Sequence, residues 1–180
     1  LSTSLAKASL RNGLIDLHKS AYSLQSFKIE NGQVNYDSGA PALLPPDSIA
    51  LRGLDPSHIA LTGIGVQLDS LHYEGRDMKA IINRFVLKER SGLELLSTQG
   101  RLLSNQKSLR IPSLRLTTSD SDFELNASID WDVFEMKSKG RLSARLMADI
   151  GKQDIIRLVG GMDEHFVQKY PAEPLRLSLI

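Results

Sequence analysis

The stretch Asp122-Phe-Glu-Leu-Asn-Ala-Ser-Ile-Asp-Trp-Asp132 sets the fold class. Phe123, Leu125, Ala127, Ile129 and Trp131 fall on one parity. Asp122, Glu124, Asn126, Ser128, Asp130 and Asp132 fall on the other. Successive side chains of a strand point to opposite faces, so this period of two predicts a half-buried β-strand over 122–132. A helix would scatter the same apolar residues around its circumference. At ~3.3 Å per residue the strand would be roughly 36 Å long, well above the usual length.

On its C-terminal side, Leu142, Ala144, Leu146, Ala148 and Ile150 alternate with Arg141, Ser143, Arg145, Met147 and Asp149. The charged segment Val133–Gly140 between the two runs predicts a hairpin loop. The polar parity of the first run is acidic and that of the second carries two arginines. Antiparallel pairing would set opposite charges across the ladder, each contact worth about 0.2–1 kcal/mol.

Further upstream, Phe27 and Ile29, then Val34 and Tyr36, flank Asn31-Gly32, which predicts a hairpin turn there. Ile59 and Leu61 share one parity, Ile64, Val66 and Leu68 take the other, and Leu71 and Tyr73 switch back. Gly63 sits at the first switch, where a β-bulge would re-phase the strand. Ile81, Phe85 and Leu87 form another run. Pro112 divides Leu109 and Ile111 from Leu114 and Leu116, which predicts an edge strand or a bulge. Residues 38–58 contain Pro41, Pro45, Pro46 and Pro56 and read as a Pro-rich loop. Residues 151–171 read as a helical insertion of one or two short helices, near 152–170, ended by Gly160-Gly161 and by Pro171. The whole is a single mainly β module over 1–180, without the βαβ alternation of an α/β enzyme.

Composition narrows the function classes. The 180 residues are 41% hydrophobic and 24% charged, near globular averages. Lys and Arg number 22 against 21 Asp and Glu, a formal charge of +1, so composition gives no field that favours nucleic acid or an anionic membrane. Without cysteine there are no disulfides, thiolate metal sites or thiol catalysis. No apolar run reaches the ~18–20 residues that span a bilayer. The ends, Leu1 without an initiator Met and an alternating pattern still running at Ile180, are expected of a piece of a longer protein.

No motif carries chemistry. His18, His58, His72 and His165 stand in separate segments without metal-ligand spacing, and position 169, four after His165, is Lys. His72 has the polar parity of its strand and reads as a solvated residue. Thr117-Thr-Ser-Asp-Ser-Asp122 lacks the Gly and Glu of a calcium loop and reads as a turn. Gly63-Ile-Gly65 lacks the third glycine of a dinucleotide fingerprint, and no helix pattern follows it. The expectation is no catalytic residue, no metal and no cofactor, in a protein that is not an enzyme. The candidate site is instead the apolar parity of the two clearest strands: Phe123, Leu125, Ala127, Ile129, Trp131, Leu142, Ala144, Leu146 and Ile150.

Several runs are familiar: Ser26-Phe-Lys-Ile-Glu-Asn-Gly-Gln-Val-Asn-Tyr36, Ile59-Ala-Leu-Thr-Gly-Ile-Gly-Val-Gln-Leu-Asp-Ser-Leu-His-Tyr73, Phe85-Val-Leu-Lys-Glu-Arg-Ser-Gly-Leu-Glu-Leu95 and Leu114-Arg-Leu-Thr-Thr-Ser-Asp-Ser-Asp-Phe123. Together they resemble the TamB/AsmA-like proteins of the Gram-negative cell envelope, over roughly residues 24–180. The resemblance implies a curved, taco-like open sheet of long antiparallel strands with an apolar concave face. It implies a periplasmic position within an inner-membrane-anchored protein that reaches toward the outer membrane. It also implies phospholipid transport between the membranes, with assembly of outer-membrane proteins through exposed sheet edges as the alternative. The expected partners are phospholipid acyl chains and outer-membrane assembly proteins, not nucleic acid, and the excised sheet is expected to pair edges with another copy.

Overall fold

The computed structural model describes residues 1–4, 7–16, 20–39, 53–135, 139–159 and 168–180. In chain order the elements are β1 (Ser2–Ser4), β2 (Lys7–Asp16), β3 (Ala21–Asp37), β4 (His58–Glu74), β5 (Asp77–Glu89) and β6 (Glu94–Ser104). They continue with β7 (Ser108–Thr118), β8 (Asp122–Asp130), α1 (Trp131–Glu135), β9 (Leu142–Ile150), α2 (Lys152–Val159) and β10 (Leu175–Leu179). All ten strands form one antiparallel sheet, ordered β1-β3-β4-β5-β6-β7-β8-β9-β10, with β2 also paired to β3. From β3 onward, neighbours in sequence are neighbours in space. The first and last strands do not pair, so the sheet is open as well as curved. Local turns make this meander: Gly75, at φ 57°, takes the first central position of the two-residue turn between Glu74 and Asp77, where a positive φ suits a hairpin.

The strands are long because bulges interrupt them without ending them. In β3, Glu30 and Asn31 together face Gly65, and Asn31 takes φ 55°. In β4, Thr62 and Gly63 face Gln33, with Gly63 at φ 59°. Ser70, at φ 53°, is extra against β5, and Asn83 is extra against β4. Ile111 and Pro112 face Leu102 on one side of β7, while Pro112 and Ser113 face Asn126 on the other. Each extra residue flips the parity of the residues after it. The apolar residues flip at the same places: Phe27 and Ile29 give way to Val34 and Tyr36, Leu61 to Ile64, Leu68 to Leu71, Ile82 to Phe85, and Ile111 to Leu114. Directly opposed residues of neighbouring strands share a face. One unbroken row of such pairs runs Phe27–Leu68–Ile82–Gly100–Leu114–Leu125–Leu146–Leu179. At about 4.8 Å per strand this row is about 34 Å long.

The mainly β class expected from the alternation, the helix near 152 expected from helical spacing and the open sheet implied by the family resemblance are all present, and three local readings need correction. Asn31-Gly32 is not a hairpin. A two-residue type I′ turn needs positive φ at both central residues, and only Asn31 has it, so the chain passes through a bulge and β3 runs on to Asp37. The strand 122–132 ends at Asp130, and Trp131 opens α1, so the segment after it is not a plain hairpin loop. Pro112 is not on an edge: β7 lies between β6 and β8, and the missing N–H is absorbed at a bulge. β3 ends at Asp37 and β4 begins at His58, while residues 40–52 of the Pro-rich segment and 160–167 of the helical insertion lie outside the described residues.

One layer of sheet leaves little interior. Among the described residues the buried apolar side chains are Ala80, Ala127 and Ala148. Phe27, Leu68, Ile82, Leu114, Leu125 and Leu146 are only half-buried. A sheet normally covers its apolar face with a second layer, and none is present among the described elements.

Candidate functional site

Seven of the nine candidate residues meet in four cross-strand pairs that also include Ala148: Phe123 opposite Ala148, Leu125 opposite Leu146, Ala127 opposite Ala144, and Ile129 opposite Leu142. Ile150 has the same parity of β9 and pairs with Leu175 of β10. Leu142 is 62% exposed and Ala144 is exposed as well, so this face is open to solvent where no neighbour leans on it. The periodic pattern of these two strands covers only part of the surface. Register adds Phe27, Val66, Leu68, Ile82, Phe85, Leu114 and Leu116, which period two alone could not align because the bulges change phase.

Trp131 is the exception. It sits in the first turn of α1, beyond the end of β8. Its backbone N–H donates to Lys107 O at 2.9 Å and its indole Nε1–H to Asn105 O at 2.8 Å. The guanidinium of Arg76 stands 5.6 Å from its ring centroid. The indole therefore fastens the β6–β7 turn at one rim of the sheet instead of prolonging the strand. On the same rim the Tyr22 and Tyr73 rings stack at 4.8 Å between centroids. Both rings belong to the row that continues through Met78, Ser104, Leu109, Ile129 and Leu142.

The opposite rim is held by polar groups. The β7–β8 turn closes with Thr118 N–H donating to Ser121 O at 2.9 Å and Ser121 N–H donating to Thr118 Oγ1 at 2.8 Å, the turn expected of its Thr, Ser and Asp residues. Asp154 of α2 is 2% exposed and accepts from Ser121 Oγ at 2.6 Å and from Thr118 Oγ1. Arg157 Nη1 stands 3.5 Å from its other oxygen. Gln153 N–H donates to Asp120 Oδ2 at 2.8 Å, which satisfies one of the unpaired amides at the start of the helix. Arg157 O accepts from Leu54 N–H at 2.7 Å. A serine, a threonine and an aspartate meet here, but each is consumed in anchoring α2, and no histidine among the described residues joins them.

Of the histidines, His72 lies opposite Ser23 and Lys79 on the polar face, as its parity predicts. His58 lies between Asp55, 3.0 Å from Nδ1, and Asp37, 3.4 Å from Nε2, and ties the end of β3 to the start of β4. His18 and His165 lie outside the described residues. Among the described residues no cluster of three metal-ligating side chains occurs. No helix among them is long and apolar enough to cross a membrane. Comparison with protein-family models, curated proteins and solved structures finds no match.

Proposed function

We propose that the chain is a non-enzymatic module of a cell-envelope protein whose apolar β-face carries or shields phospholipid acyl chains between inner and outer membrane. One observation supports this above the others. From β3 to β10 the row Phe27–Leu68–Ile82–Gly100–Leu114–Leu125–Leu146–Leu179 keeps to one face through the bulges, while Ile81, Val86 and Leu103 lie on the other, and the face of the row has no covering layer among the described elements. A core needs burial, whereas a carrier surface needs continuity. Transfer of methylene groups from water is worth about 0.8 kcal/mol each. A sixteen-carbon chain half-covered by an open face would gain roughly 6 kcal/mol, which corresponds to an affinity in the tens of micromolar. That is loose enough for a lipid to move on. Such binding needs no directional chemistry. The periplasmic position and the inner-membrane anchorage rest on the family resemblance.

Native mass spectrometry of protein purified from a bacterial envelope fraction tests the reading. Bound phospholipid, and uptake of a fluorescent acyl probe after delipidation, are expected. A delipidated protein that never takes up the probe contradicts it.

A second reading has its own observation. All five residues of β10 are exposed and its outer edge is unpaired among the described strands, with Leu175, Leu177 and Leu179 46%, 38% and 53% exposed. An outer-membrane strand could add there by β-augmentation, as a scaffold for barrel assembly. Photo-crosslinkers in β10 that capture protein, with face positions that capture no lipid, would favour it.

A further inference from the structure

The face opposite the apolar one carries a pattern of its own. On this polar face Arg101 lies opposite Ile81 and Ser113, Arg115 opposite Gln99 and Glu124, Arg110 opposite Leu103 and Ser128, and Arg145 opposite Asn126. Arg84, opposite Gln67, completes the group. The carboxylates that share the middle of this face are engaged. Glu30 is held by Lys28 at 2.7 Å and Lys7 at 3.4 Å, Asp69 accepts from Asn83 Nδ2, and Glu124 lies 3.8 Å from Arg115. Arg84, Arg101, Arg110 and Arg145 are exposed, and no ion pair is formed by them among the described residues. A chain of net charge +1 thus gathers these cations on one patch.

The patch also has shape. At the Pro112–Ser113 bulge lies a hollow of about 610 Å³ lined by the polar Asn83, Gln99, Arg101, Ser113 and Arg115 together with Ile81, Ile82, Gly100 and Pro112. Guanidinium forks match phosphate oxygens in pairs, and the amides and hydroxyls between them supply further donors. From β5 to β9 the patch spans four strand spacings, about 19 Å. The aromatic strand residues Tyr22, Phe27, Tyr36, Tyr73, Phe85 and Phe123 lie on the other face, so they give this patch no platform for stacking the bases of a single-stranded nucleic acid.

We propose that this patch, centred on Arg101, binds a compact polyanion carrying two or more phosphate groups, supplied by a phosphorylated lipid headgroup or a soluble polyphosphate. The site is independent of the apolar face.

Titration of the whole chain with tripolyphosphate at low salt, followed by amide chemical shifts and calorimetry, tests it. The expected result is saturable binding, with shifts confined to the polar face of β5–β9, that weakens as salt rises. The double variant Arg101→Gln/Arg110→Gln is expected to weaken binding at least tenfold with an unchanged thermal midpoint. Arg176→Gln, outside the patch and paired with Asp149 at 2.9 Å, is expected to change nothing. If the double variant unfolds, Arg145→Gln alone serves, with a smaller loss expected. A short-chain bisphosphorylated lipid below its micelle concentration identifies the source: preference for it over tripolyphosphate points to a lipid headgroup, the reverse preference to a soluble polyphosphate, and both results support the site. Binding of neither small probe, binding only to anionic vesicles or nucleic acid, or losses equal in Arg176→Gln overturns the proposal.

Discussion

Gly63 shows what a single residue does here. At φ 59° it lies in the left-handed region, and nothing stands within 4 Å of where a Cβ would be, so the demand is on the backbone and not on space. Gly63→Val is expected to cost about 1–2 kcal/mol. For a chain of this size that is a fall of several degrees in thermal midpoint, read by circular dichroism. Gly63→Asn, a residue that tolerates this region, should recover most of the loss. An unchanged midpoint in the valine variant would mean that the bulge is not where β4 changes phase. On the polar face, the Lys28 ammonium bonded to Glu30, helped by Lys7, holds the Glu30 carboxyl below the usual carboxylate range. Its pairing therefore favours the folded state above the ordinary carboxylate range and is lost as pH falls through the lowered value. The Glu30 side chain keeps 38% of its surface open to water, so the effect on stability is small, but a side-chain NMR titration should find its midpoint low and Lys28→Ala should raise it.

Among the elements, the strands were legible and their interruptions only partly so. Alternation in 122–130 and 142–150 reads directly because the pairing of these two strands with each other is unbroken by a bulge. The phase change at Gly63 was visible because a glycine stands where apolar parity flips. Asn31-Gly32 misled because the residues that make a tight hairpin are also those that accept positive φ inside a bulge, and only the pairing of both flanks with β4 separates the two. Trp131 kept the parity of its strand, and nothing local announced that its indole would reach back to Asn105. The arginine patch was hidden for a different reason: composition sums charges, whereas register sorts them by face. α2 depends on long-range polar contacts that sequence spacing does not display. Asp154→Ala would strand the Ser121 and Thr118 hydroxyls in a buried site, at about 1–3 kcal/mol. Hydrogen exchange should quicken selectively over Lys152–Val159 while β5–β8 stay protected. Uniform acceleration across the sheet would show instead that α2 is integral to the global fold.

At the scale of the molecule the question is why a sheet would carry an apolar row across its width with no covering layer among the described elements. A row of facing apolar residues from Phe27 to Leu179 is costly in water unless something occupies it. On the proposed reading an acyl chain would lie on that row, which would account for both its continuity and its openness. Leu125→Glu, with its side chain in the middle of the row, is therefore expected to reduce acyl-probe uptake at least tenfold, while Glu124→Gln on the reverse face leaves uptake unchanged. The most direct measurement is to place photoactivatable side chains one at a time along β4 and β8, at successive residues, and to identify what each captures in living envelopes. Phospholipid is expected at Val66, Leu68, Phe123 and Leu125 and none at Gln67, Asp69, Glu124 and Asn126, an alternation with the strand's own period. Lipid captured equally at both sets, or at neither, would contradict an acyl-carrying face.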